Sequence, residues 1–136
     1  MLLVRTQIGP SRIHGLGLFA AAPIPRGAKV WQFHPAIDLV APEAEVAALP
    51  PVAQAFFRNY AYRPLADEGV WYLNGDYAKF MNHASEPNLT EIDGCNLALR
   101  DIAAGEELTC DYFQFDRDAP VKLSAECWVL GAGCLP

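Results

Sequence analysis

Gly15-Leu16-Gly17-Leu18-Phe19-Ala20, followed by Ala21-Ala22-Pro23-Ile24-Pro25, is the stretch on which the fold turns. The first six residues satisfy G-x-G-x-x-G/A, the fingerprint of a dinucleotide-binding βαβ unit. In that unit a helix starts at the glycines and aims its N-terminus at a pyrophosphate. Pro23 and Pro25 stand where the body of such a helix would run, and proline there removes a donor and clashes with the preceding turn. The stretch is therefore a glycine-rich strand connection. Two glycines one residue apart let bare backbone N–H and C=O groups come close to a ligand. A turn without a ligand is the other reading of the same residues.

Working outward, Leu2 to Ile8 reads as a first strand ended by Gly9-Pro10, and Leu18 to Ala21 as a short second one. Lys29 to Phe33 alternates polar and apolar residues and reads as a third, continued by Ile37 to Val40. Ala41 to Tyr62 differs in kind. It is rich in Ala and Glu, then aromatic, and Pro50-Pro51 splits it, which predicts two short helices. Val70 to Leu73 predicts a strand and Tyr77 to Met81 one helical turn. Leu89 to Ile92 and Asn96 to Arg100 flank Asp93-Gly94, a strong hairpin signal. After the turn at Ala104-Gly105-Glu106-Glu107 comes a last strand, Leu108 to Tyr112. The tail from Asp116 reads as turn-rich, with a weakly apolar end at Cys127 to Leu130. Many short strands, a helical insertion and no βαβ alternation predict a mainly β domain with short helices and small curved sheets.

Composition narrows the function classes. A chain of 136 residues fits one domain, and 52% hydrophobic against 19% charged residues argues for a packed core rather than disorder. No apolar stretch approaches the roughly 20 residues of a membrane span. Met1-Leu2-Leu3-Val4 runs straight into Arg5 without the layout of a secretory signal, so the expected location is cytoplasmic. A formal charge of -6 argues against direct nucleic-acid binding, which needs clustered Lys and Arg. It suits a Lys-rich or basic protein partner, or serves solubility alone. Cys95, Cys110, Cys127 and Cys134 form no CxxC pair and are expected to be reduced. The gap between Cys127 and Cys134 exceeds the usual zinc-ligand spacing, and His14, His34 and His83 show no metal spacing, so no metal is expected.

Two further clusters carry chemistry. Asn82-His83 follows apolar Phe80-Met81 and precedes Pro87-Asn88, where Pro87 holds Glu86 extended. Asn82 offers both donor and acceptor functions, fit for the ends of an amino acid or a purine edge. A structural asparagine and histidine are the alternative. Asp111-Tyr112 precedes Phe113 and Phe115, which reads either as a core aromatic patch or as a narrow aromatic channel.

In this order and at these spacings, the three clusters resemble the SET-domain family of protein-lysine methyltransferases, over about Ile8 to Phe115. Ile13 to Ala20 looks like the family's first motif, whose backbone holds the methionine part of S-adenosylmethionine. Gly75-Asp76, Lys79-Phe80-Met81-Asn82-His83 and Pro87-Asn88 look like its central motif, in which the asparagine and histidine meet the cofactor's amino-acid and adenine ends. Ala103 to Tyr112 looks like the final motif with the catalytic tyrosine.

The resemblance implies a β-clip fold of small curved sheets with a C-terminal pseudoknot. It implies a domain over 1–115, with a short helical insertion at 41–62 and a degenerate flanking segment at 116–136. It further implies cofactor contacts from Leu16, Gly17, Lys79, Asn82 and His83, with Tyr112 catalytic. Tyr72, Phe113 and Phe115 would line the substrate channel.

This sequence departs from the family pattern in three places. Ala84-Ser85-Glu86 replace the frequent cysteine after Asn-His, and the zinc-binding tail that pairs with it is missing. Phe113, Phe115, Trp128 or a second subunit of a homodimer would then close the channel. Lys79 stands where the family usually has arginine, which removes a planar bidentate donor. A non-catalytic cofactor- or peptide-binding module and a small-molecule amine methyltransferase are the rival readings.

Overall fold

The computed structural model describes residues 1–124; the expectations for Cys127, Trp128 and Cys134 lie outside the described residues. In chain order the strands are β1 (Thr6–Pro10), β2 (Leu16–Ala20), β3 (Lys29–Gln32), β4 (Leu39–Pro42), β5 (Ala61–Tyr62) and β6 (Val70–Leu73). They continue as β7 (Asn82–His83), β8 (Leu89–Ile92), β9 (Cys95–Ala98) and β10 (Thr109–Cys110). The helices are α1 (Glu43–Ala47), α2 (Pro51–Tyr60) and α3 (Ala119–Lys122), with 3-10 turns at Tyr77–Phe80 and Tyr112–Gln114. The mainly β reading holds. The chain divides into two units, Met1–Asp38 with Gly75–Asp111, and Leu39–Asn74 with the stretch from Tyr112 onward.

In the first unit β1 and β2 pair antiparallel, with Gly9 opposite Gly17 and Pro10 opposite Leu16. Gly9-Pro10 lies inside β1 rather than ending it, because Pro10 takes the terminal position, where a strand tolerates proline. A second sheet runs in the order β3-β9-β8. Asp93 and Gly94 both take positive φ, 50° and 73°, as a two-residue hairpin turn requires, and they join β8 to β9 where the sequence placed the turn. The third pairing is parallel: β7 against β10, Asn82 opposite Thr109 and His83 opposite Cys110. Leu18, Val30, Leu89, Ile102 and Leu108 are at most 1% exposed and form this unit's core. Full burial of each such side chain stabilises by about 1.5–3 kcal/mol.

The second unit is built on the sheet β4-β6-β5. Ala41 pairs with Trp71 and Tyr62 with Tyr72, so Ala41, Trp71 and Leu73 share one face while Tyr62 and Tyr72 share the other. On the first face Ala41, Val46, Phe57 and Ala61 form a buried cluster, with Trp71 and Leu73 packed against it. The two helices expected between Ala41 and Tyr62 are α1 and α2. Pro50 caps α2 and Pro51 opens its first turn, where a missing N–H costs nothing.

Three further elements differ from expectation. The strand foreseen from Ile37 begins at Leu39, because the Ile37 and Asp38 amides both donate to the His34 carbonyl in a turn, at 2.9 and 2.8 Å. The last strand, foreseen over Leu108 to Tyr112, is only Thr109–Cys110. Tyr112 starts a 3-10 turn instead, its carbonyl accepting from the amides of Phe115 and Asp116 at 3.2 and 2.9 Å. The tail from Asp116 also carries one helical turn, α3, opened by Pro120. No helix among the described residues is long and apolar enough to cross a membrane.

Candidate active site

Asn82 is the hub of the first unit. It is 8% exposed, and its side-chain nitrogen donates to the His14 carbonyl at 3.0 Å, the Leu16 carbonyl at 3.1 Å and Glu107 Oε1 at 2.9 Å. The glycine segment is thereby fixed by a side chain from β7. Glu107 carries the other half of the clasp. Its two carboxylate oxygens accept from Ser11 Oγ at 2.8 and 3.0 Å, and Ser11 Oγ in turn accepts from the Ile13 amide at 2.9 Å. The requirement for glycine at position 17 follows: a Cβ there would collide with the Glu107 carboxylate. Gly15 is glycine for a different reason, since it takes φ +49° in open space.

The β7–β10 pair is held by more than its own ladder. Asn88, the second residue of the Pro87-Asn88 pair, donates to the Glu107 carbonyl at 2.8 Å and accepts from the Thr109 amide at 2.9 Å. The Ala84 amide extends the pairing to the Cys110 carbonyl at 3.1 Å. His83 is half-buried on β7, with Nδ1 3.6 Å from Asp111 Oδ1. Cys110 is buried beside them, and desolvation, with the Asp111 charge, pushes its thiol up to about 12. A thiol so shifted is protonated at neutral pH and is not a nucleophile.

Lys79 lies in the 3-10 turn Tyr77–Phe80, which Asp76 caps by accepting from the Ala78 amide at 3.0 Å. Its Nζ sits 5.9 Å from the Phe80 ring centroid. The turn rests against β2, so Leu16, Gly17, Lys79, Asn82 and His83 all belong to the first unit.

The second unit holds Tyr72, Tyr112, Phe113 and Phe115. Three of them join a continuous aromatic run: Tyr112 to Phe115 at 5.8 Å between centroids, Phe115 to Tyr62 at 5.0 Å, and Tyr62 to Tyr72 at 5.6 Å. The tilted and edge-on geometries are those aromatic pairs prefer. The Tyr72 hydroxyl donates to Asp67 Oδ2, and that bond, reinforced by burial and the Asp67 charge, raises its phenol above the ordinary value. Phe113 is 54% exposed.

Three participants escaped the sequence reading. Tyr62 had a usable signal, an aromatic two residues before Pro64 at the end of the helical insertion. Glu107 and Ser11 had none, because they meet across 96 residues. Among the described residues no cluster of three or more His, Cys, Asp or Glu could hold a metal.

A family model described as the SET domain matches residues 15–113. A Schizosaccharomyces pombe protein, histone-lysine N-methyltransferase, H3 lysine-4 specific, is 31% identical over 124 residues, covering 78% of this chain and 12% of its own length. Histone-lysine N-methyltransferase ATX2 of Arabidopsis thaliana is 29% identical over 143 residues, covering 90% of this chain and 12% of its own. The chain thus spans about an eighth of the length of these relatives. Among solved structures, the apo Chaetomium thermophilum Polycomb Repressive Complex 2 with mutations in Ezh2 superposes with a TM-score of 0.65 at 26% identity. The match covers 88% of this chain and 16% of that one.

Proposed function

Because this chain belongs to the SET-domain family, we propose that it methylates lysine side chains of a protein, with S-adenosylmethionine as methyl donor. The observation that carries the reading is the parallel β7–β10 pair, which aligns His83 with Cys110, two residues before Tyr112. That pairing brings Asn82–His83 of the central motif beside Thr109–Cys110 of the final motif within the first unit.

The residues present fit the donor. Gly17 carries no side chain of its own, the Glu107 carboxylate closes one side of it, and Asn82 fixes the neighbouring Leu16 carbonyl. Lys79 supplies a cation for the amino-acid carboxylate of the donor, and Asn82 and His83 supply polar groups for its amine and adenine ends. S-Adenosylmethionine, when bound, supplies a methyl group activated by a sulfonium.

The remaining chemistry belongs to the protein. A lysine ammonium has no lone pair, so the site must favour the neutral amine, and aromatic walls do so by desolvation. The run Tyr112–Phe115–Tyr62–Tyr72 provides such walls, and its faces also suit an alkyl stem and a cation. In this reading the Tyr112 hydroxyl accepts from the amine and orients it for in-line attack, which is positioning catalysis. The net charge of -6 fits a lysine-rich partner.

Calorimetric titration with S-adenosylmethionine, followed by labelled methyl transfer to a lysine-rich protein, tests the reading. Wild type and Tyr112→Phe are both expected to bind the donor, and the variant to transfer at least roughly a hundredfold more slowly. Absence of donor binding sinks the proposal. Binding without transfer to any protein makes the chain a binding module instead.

A further inference from the structure

Trp71 and Tyr72 are adjacent on β6, so their side chains leave the sheet on opposite faces. Tyr72 joins the aromatic run, whereas Trp71 packs toward α1 and α2. On the Trp71 side, α1, α2 and α3 border a cavity of about 480 Å³, a size typical of small-molecule sites. Val46, Ala47, Val121 and the Trp71 ring give it apolar walls.

Its three cations are not equivalent. Arg63 is fully engaged: Asp118 accepts from Nε at 2.7 Å and from Nη2, Glu43 accepts from Nη1 at 3.1 Å, and the guanidinium lies 5.7 Å from the Trp71 centroid. Lys122 donates to Asp116 and to the Ala61 carbonyl, both at 2.6 Å. Arg58 is different. Its Nε is buried and has no hydrogen-bond partner among the described residues. That nitrogen is closed off from the cavity as well as from water. Among the described residues, however, no carboxylate pairs with the Arg58 guanidinium, and an anion in the cavity it lines would compensate that charge.

We propose that this cavity binds a small organic carboxylate with an apolar body, the carboxylate accepting from Arg58 and the body lying against Trp71 and Val121. A cationic ligand is disfavoured by Arg58, Arg63 and Lys122, since the two lining carboxylates are already spent on Arg63. A phosphate dianion is disfavoured by the apolar walls, against which its second charge would lose hydration without a further cation to meet it. The site occupies the sheet face opposite the aromatic run, so it stands independently of the methyl-transfer reading.

The test is a titration of the full chain, followed by amide NMR, with phenylacetate and with phenylacetamide as its neutral isostere. Phenylacetate is expected to shift the amides of Ala47, Arg58 and Val121. Phenylacetamide and the Arg58→Gln variant are each expected to weaken binding about tenfold. Ala47→Trp, at an exposed position on α1, fills the cavity while leaving Arg58 in place and is expected to abolish the shifts. Circular dichroism of both variants should match wild type. The proposal is overturned if phenylacetate at millimolar concentration leaves these amides unmoved, if the amide binds equally well, or if Arg58→Gln retains full affinity.

Discussion

The Asn82 side chain reaches across 68 residues of sequence to donate to the His14 carbonyl at 3.0 Å. The same nitrogen meets Leu16 and Glu107, so one side chain sets the shape of the glycine segment. Replacing it is therefore informative about fold and ligand together.

Asn82→Ala strips a buried donor from two carbonyls and a carboxylate and is expected to cost about 1–3 kcal/mol. Asn82→Asp should cost more, because a second carboxylate would face Glu107 where a donor now stands 2.9 Å away. Urea denaturation should rank wild type above Ala and Ala above Asp. The Asp variant should recover part of its loss as pH falls and one carboxyl takes up a proton. An Asp variant as stable as wild type would contradict the clasp.

Gly17→Ala drives a methyl group into the Glu107 carboxylate, which Ser11 and Asn82 hold in place. Such overpacking typically costs about 1–3 kcal/mol. Glu107→Ala removes the obstacle, so the double variant should be more stable than the sum of the single losses implies. Gly15→Ala provides the contrast. Its cost comes from φ +49°, about 1–2 kcal/mol, and Glu107→Ala should do nothing to relieve it.

Tyr72 should titrate above the ordinary phenol value of about 10, because its neutral hydroxyl donates to Asp67. For an acid raised in the folded state, the stabilisation is complete below the unfolded value and lost as pH rises through the folded one. Asp67→Asn should bring the Tyr72 resonance back toward the ordinary value in a carbon-detected NMR titration. An unchanged midpoint would show that burial, and not Asp67, dominates.

The fork of Arg63 on Asp118 holds that carboxyl below the usual aspartate range. A depressed carboxylate stabilises above the unfolded value of about 3.9, and the contribution fades as pH drops through the folded one. Arg63→Lys keeps the charge but loses the two-pronged geometry. Its melting temperature should thus differ from wild type near neutrality, and the difference should shrink toward about pH 2. A gap that persists in acid would assign the effect to lost packing on Trp71.

How much of this was legible in the sequence depended on whether the signal was local. Asp93-Gly94 announced its hairpin because only a two-residue turn with positive φ suits that pair between strands. Pro50-Pro51 announced the break between α1 and α2 in the same way. Strand β7 was invisible as a strand, since two residues carry no periodicity and its pairing with β10 is made by distant segments. The candidate cofactor residues were named through resemblance, but the reason Gly17 must be glycine lay in Glu107, which no local pattern connects to it. Tyr112 was read as the end of the last strand but starts a 3-10 turn, because the turn at its carbonyl is set by Phe115 and Asp116 downstream.

The Ser11–Glu107–Asn82 clasp also has a kinetic meaning. It joins segments 96 and 25 residues apart, and loop closure on that scale must precede any reward from the contact. The glycine segment is therefore expected to acquire its final shape late on the folding route, after the β8–β9 hairpin has zipped. A nascent or partly refolded chain can hold its local turns yet lack the clasp, so competence to take up a ligand there reports completed folding.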